Sequence, residues 1–248
     1  MFEVEARWLG EKLSEVEAAE LSPLLNLGSS TREFRENAQP ATMTHLFRPL
    51  RERGIEVVHL DCRDGNGIDI RADLLDDRDF ARVRATSYSA VLCCNVLEHV
   101  ADAAEFARRC LQLVRPGGLV AVTVPRSYPR HGDPIDTLFR PTPEELARLF
   151  PGADVLASQI IDVGRSYRDD VRRRPWILLR HLVRLPFPFL DWQKWRASMT
   201  KPYWLFHNYQ VTAAILRRPA EAAVGNPPRS DQAADQAALL SARSVSSA

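Results

Sequence analysis

The chain has 248 residues, 45% of them hydrophobic and 26% charged, which suits one cored domain with appendages and excludes a fibrous or wholly disordered chain. Its 33 Lys and Arg nearly balance 32 Asp and Glu, leaving a net charge of +1, so no overall field directs it to nucleic acid. The opening Met-Phe-Glu-Val-Glu-Ala-Arg lacks the basic-then-apolar pattern of a secretory leader, and no stretch approaches the roughly 20 apolar residues of a membrane span.

Residues Glu3 to Glu20 read as one amphipathic helix with acidic faces. The apolar run Leu24-Leu25-Asn26-Leu27 stops at Gly28 and reads as a buried strand. A helix over Thr42 to Arg53, closed by Gly54, leads to a β-branched strand, Ile55 to Leu60, that ends at Asp61. After the turn-forming Asp64-Gly65-Asn66-Gly67 comes a short strand, Ile68 to Ala72, and then a helix from about Asp79 to Arg84. Ala90 to Cys94 is continuously apolar, as a strand covered on both faces should be. A helix over Ala103 to Val114 is broken by Pro116-Gly117-Gly118, and Leu119 to Val124 is the next strand. Ser127 to Pro143 is a polar, proline-rich loop, followed by a short helix over Glu144 to Phe150 with Thr142 as its N-cap. Asp154 to Val163 and Tyr209 to Leu216 read as the last strands.

Strands that alternate with helices predict a Rossmann-like, doubly wound, mostly parallel α/β sheet with helices on both faces. The expected division is an N-terminal helix over 1–22, a core over 23–164, a basic and aromatic insert over 165–206, a final core strand over 207–217 and a disordered tail over 218–248. Ligands of such sheets bind beyond the carboxyl ends of the strands, so the residues after each strand are the ones to weigh.

Gly28-Ser29-Ser30 follows the first strand, where small residues let the backbone approach a ligand and offer it N–H groups. Asp61 tips the second strand, where an acid in nucleotide-binding folds accepts from ribose hydroxyls. Asp73 closes the third strand and is placed to accept from an adenine amino group. Asn95-Val96-Leu97-Glu98-His99-Val100 follows the fourth. The four cysteines, Cys62, Cys93, Cys94 and Cys110, form no Cys-x-x-Cys pair and are expected to be buried, reduced thiols.

This order of elements resembles the class I S-adenosylmethionine (SAM)-dependent methyltransferases, in the small-molecule branch with Leu-Glu-His after the fourth strand. The resemblance covers about Leu24 to Phe150 and rests on Val-Leu-Glu-His-Val at Val96 to Val100 and Leu-Val-Arg-Pro-Gly-Gly at Leu113 to Gly118. It implies SAM as cofactor, with Gly28, Ser29 and Ser30 around its amino-acid part. Asp61, with Cys62 beside it, would hold the ribose, Asp73 and Leu74 the adenine, and Asn95 and Val96 would lie beside the methyl donor. Ser30 and Arg32 stand where the family usually has glycine. In the loop after the fifth strand, relatives carry a similar His, Pro-x-Asp and Arg pattern. His131 is the candidate base, with Asp133 or Asp136 to orient it; the competing reading makes Asp136 and Arg140 an ion pair that anchors the loop. His99 is read mainly as architectural.

The expected activity is methyl transfer, at oxygen, to a small-molecule, sugar or glycan, or lipid-linked acceptor, in a cytoplasmic protein with no metal. The alternatives are a non-catalytic SAM-fold scaffold in a biosynthetic complex and, less favoured for want of Gly-x-Gly-x-x-Gly, a dinucleotide oxidoreductase. The insert, with Trp176, Leu179, Leu182 and Val183 at helical spacing among arginines, reads as a lid, as a peripheral membrane contact over 171–206, or as a homodimer contact.

Overall fold

The structure is a computed structural model and describes residues 1–130, 135–184, 187, 189 and 192–220. The predicted doubly wound sheet is present. Strands β1 (Leu24–Leu27), β2 (Val57–Asp61), β3 (Ile70–Arg71), β4 (Tyr88–Cys94) and β5 (Val114–Ser127) run parallel; β7 (Asn208–Arg217) pairs antiparallel with β5, and β6 (Asp154–Ser166) pairs antiparallel with β7 and so runs in the common direction. The order is β3-β2-β1-β4-β5-β7-β6. The parallel order reverses between β1 and β4, which is where such sheets open a ligand crevice.

Alternation along the strands builds two cores. Leu25, Leu27, Val91, Cys93, Val120 and Val122 face one side and pack on α5 (Asp77–Arg84), α6 (Ala103–Leu113) and α7 (Pro143–Arg148). Leu24, Ala90, Leu92, Leu119 and Ala121 face the other side. They pack on α1 (Glu3–Ser14), α2 (Ala18–Leu21), the turn Met43–Phe47 that follows α3 (Pro40–Thr42), and α4 (Arg48–Glu52). Thr142 is the N-cap expected from sequence and forms a reciprocal capping box with Glu145; Asp76, which accepts from the N–H groups of Arg78 and Asp79, and Asp102, which accepts from that of Glu105, cap α5 and α6.

Two local readings are corrected. The N-terminal helix is two pieces, because Glu17 is extended at φ −61, ψ 141 and separates α1 from α2. The helix expected over Thr42 to Arg53 is present but not regular, since α3 leads through a π turn, Met43–Phe47, into α4. Gln39, before Pro40, leaves the helical region as prolyl sterics demand, and π turns occupy Phe34–Ala38 and Met43–Phe47. The insert between β6 and β7 is helical: α8 (Tyr167–Arg173), α9 (Trp176–Arg184) and α10 (Trp192–Thr200). Of the tail expected to be disordered, residues 221–248 lie outside the described residues.

Candidate active site

Register brings the predicted residues to one edge. Leu27 of β1 lies beside Leu60 of β2 and Cys93 of β4, so Gly28, Asp61 and Asn95 leave the sheet at the same level. Gly28 has φ +61, and a Cβ there would stand 2.6 Å from Val96 Cγ2. Glycine is thus required twice over, by backbone angle and by the approach of the segment after β4. Ser29 is buried, and its N–H donates to the Leu60 carbonyl. Ser30 takes φ +55, and its N–H donates to Asp61 Oδ2 at 2.8 Å.

Asp61 is 3% exposed. Its other oxygen accepts from the Arg63 N–H at 3.0 Å, and the exposed Arg63 side chain lies over it with Nε 3.6 Å away. Oδ2 keeps a lone pair, the requirement for gripping a hydroxyl, while Oδ1 also accepts from the Cys62 thiol. Cys62, expected to be buried, is exposed, with Sγ 3.7 Å from Asp61 Oδ1; burial of its sulfur and the adjacent carboxylate push its thiol above the ordinary range. Asp73 is exposed at the tip of β3, with Oδ1 accepting from the Leu75 N–H. The Leu74 side chain is in the core, and its carbonyl accepts from Arg109.

The loop is held by a residue that sequence reading did not single out. Arg35 is buried and donates to three carbonyls, those of Ser29, Ser30 and Gly67. It joins the Gly28 loop, at Ser29 and Ser30, to the turn after β2. The turn itself comes close: a Cβ on Gly67 would meet Arg32 Cβ at 2.6 Å.

A second unforeseen residue is Glu5 of α1. It is fully buried; Oε1 accepts from Asn95 Nδ2 at 2.7 Å and from Thr123 Oγ1 at 2.6 Å, and Oε2 accepts from the Phe2 N–H. Asn95 sits at φ +54, a region asparagine tolerates better than most residues. Glu5 therefore fixes the side chain that follows β4 and draws the N-terminal helix against the site. A sequence signal existed: Glu5 occupies the stripe that continues through Leu9 and Leu13, where an apolar residue is expected.

Glu98 and His99 lie in a 3-10 turn, Leu97–His99. The Glu98 carbonyl accepts from the Thr137 N–H and hydroxyl, and His99 Nδ1 meets the Ile135 carbonyl, so this turn secures the loop beyond β5. The Glu98 carboxyl is fully buried, with no hydrogen-bond partner among the described residues, and burial pushes it up to about 7. Asp136 is buried, paired with Arg140 at 2.7 Å, and accepts from the Leu138 N–H. That geometry is the one the anchoring reading requires. His131 and Asp133 lie outside the described residues. Among the described residues no cluster of His, Cys, Asp and Glu is arranged for a metal.

A sequence profile described as a methyltransferase domain matches residues 7–166. The chain belongs to this methyltransferase-domain family. It has the α/β architecture of the class I SAM-dependent enzymes, and SAM is the cofactor of that class. Over 175 residues the chain is 24% identical to a ubiquinone biosynthesis O-methyltransferase of Albidiferax ferrireducens, covering 67% of this chain and 64% of that one. Over 81 residues it is 32% identical to the protein of that name in Neisseria meningitidis, covering 31% of this chain and 34% of that one. The match thus spans about a third of the length of the first curated relatives. Among solved structures, a coclaurine N-methyltransferase bound to N-methylheliamine and SAH superposes with a TM-score of 0.50 at 13% identity, covering 86% of this chain and 72% of that one, a likeness of fold.

Proposed function

We propose that the methyltransferase transfers the methyl group of SAM to an oxygen of a small-molecule, sugar or lipid-linked acceptor. The observation that carries the acceptor reading is a cavity of about 650 Å³ beyond the carboxyl end of β5, between that strand and the insert. Tyr128, Trp192 and Trp204 give it flat apolar walls, and Arg126, Arg130 and Arg196 place guanidinium groups around it. Such walls suit an aromatic or otherwise apolar acceptor that carries a negative charge. The names of the relatives, O-methyltransferases, support oxygen as the atom.

The residues present fit the cofactor. The Gly28 turn has no room for a side chain and lets backbone approach a ligand, Asp61 keeps a free lone pair on Oδ2 for a ribose hydroxyl, and Asp73 offers an exposed acceptor for the adenine edge. When bound, SAM supplies an electrophilic methyl group on a sulfonium. The protein's part is alignment: Asn95, held by Glu5, and Val96, held against Gly28, keep the wall beside the donor rigid. A second reading, a SAM-fold scaffold without transfer activity, is favoured by one observation, the near-complete burial of Asp61 beneath Arg63.

The test is transfer of radiolabel from methyl-labelled SAM to a panel of hydroxylated acceptors: phenolic acids, sugars and polyprenyl-linked phenols. Labelled product that falls when Arg196→Ala raises KM for the anionic members supports the reading. No label in any acceptor, from protein that binds S-adenosylhomocysteine, favours the scaffold.

A further inference from the structure

Helix α9 of the insert carries an apolar surface that lines no part of the cavity beyond β5. In α9, Leu179 is 61% exposed and Val183 59%, and Trp176, Leu178 and Leu182 are exposed with them. Ile177 is the one residue of the helix seen to turn inward, and it is only half-buried. At helical spacing Ile177 points to the protein, while Trp176, Leu178, Leu179, Leu182 and Val183 fill the opposite arc. Phe189, 76% exposed, and Trp192, 60% exposed, extend the apolar surface toward α10. Isolated exposed apolar residues are ordinary, but a continuous run of this kind marks a contact surface.

Charge selects the occupant. From Arg172 to Lys201 the sequence holds eight Lys and Arg against a single acid, Asp191, in a chain whose net charge is only +1. Arg173, Arg174 and Arg180 are exposed and make no ion pair among the described residues. Arg180 lies over the Trp176 ring, 5.4 Å from its centroid, at the border of the apolar arc. A second copy meeting this face would bring two strongly basic surfaces together. An anionic lipid surface instead neutralises the arginines and takes up the apolar arc. Among the described residues no helix is long and apolar enough to cross a bilayer, so the contact is one of lying on the surface.

We propose that α9, together with the exposed Phe189 and Trp192, docks the protein on an anionic membrane surface. Trp192 and Arg196 belong to α10 and line the cavity beyond β5, so docking there sets the cavity mouth beside the lipid. The docking rests on the surface itself and stands whether or not the cavity takes an acceptor.

The test uses the full chain, sedimented with phosphatidylcholine vesicles with and without phosphatidylglycerol, with tryptophan emission recorded in parallel. The expected result is cosedimentation with the anionic vesicles only, a blue shift, and release by added salt. Reversing Arg172, Arg173 and Arg174 to Glu should weaken partitioning at least about tenfold. Leu179→Ser with Leu182→Ser, at exposed positions, should weaken it as well while S-adenosylhomocysteine binding is kept. Equal binding to neutral vesicles, or no binding by protein that still binds S-adenosylhomocysteine, overturns the proposal. A dimer in free solution that the two serine substitutions dissolve also overturns it and gives the face to a second copy.

Discussion

Replacing Glu98 by Gln should make the protein's stability less sensitive to pH, and the size of the change follows from burial. The Glu98 carboxyl is sealed beneath the turn after β4, and neither oxygen has a hydrogen-bond partner among the described residues. Burial lifts its pKa from 4.5 to about 7; Glu5 and Asp136 push the same way, while Arg140 and the backbone oppose. Below the unfolded value the group is protonated in both states and costs nothing. Between 4.5 and about 7 the unfolded chain ionises while the folded protein keeps its proton, so stability falls as pH rises. From about pH 5 to about pH 8 this amounts to roughly 2–3 kcal/mol. Urea unfolding of both proteins across that range measures it. The stability of Glu98→Gln relative to the parent should climb by about that amount from acid to alkaline pH. A relative stability that does not change with pH, or that falls, would refute the burial argument.

Three further outcomes follow from the same geometry. Glu5→Ala leaves Asn95 Nδ2 and Thr123 Oγ1 facing a buried gap, which should cost roughly 2–4 kcal/mol in urea unfolding. It should also weaken S-adenosylhomocysteine binding, whereas Glu5→Gln, which keeps an acceptor oxygen, should recover much of both. Gly28→Ala forces a Cβ to 2.6 Å from Val96 at positive φ and should cost at least about 1–2 kcal/mol, a loss that Val96→Ala reduces but does not abolish. Arg35→Met removes the donors to three carbonyls and should weaken cofactor binding more than Arg32→Met, whose guanidinium bonds no part of the loop among the described residues. Calorimetric titration of the two variants separates them.

The strands, their order of polarity and the Thr142 cap were legible because each depends on local pattern. Leu24 to Leu27 and Ala90 to Cys94 are apolar runs that end at turn-forming residues, and Thr142 with Glu145 spells a capping box. That Gly28, Asp61 and Asn95 would come to one edge was legible because parallel strands must present their carboxyl ends together. What escaped is what depends on contacts distant in sequence. Glu5 meets Thr123, which is 118 positions away, and in sequence it looks like one acid among several on a polar helix. Arg35 looks like a surface charge until Gly67 is brought beside it by the turn after β2. The π turn at Met43–Phe47 lies inside the helix read over Thr42 to Arg53, and pattern reading sees only amphipathic spacing there. Leu74 was read as an adenine contact from its place after β3, but burial in the core claims its side chain and leaves Asp73 at the surface.

The central claim is that the edge formed by Gly28, Asp61 and Asn95 binds SAM. Titrating S-adenosylhomocysteine into the parent protein and into Asp61→Ala by calorimetry tests it most directly. The account predicts stoichiometric binding to the parent and an affinity about ten- to a hundredfold weaker in a variant that remains folded, since a charged acceptor for the ribose is lost. Equal affinity in the two proteins would contradict it.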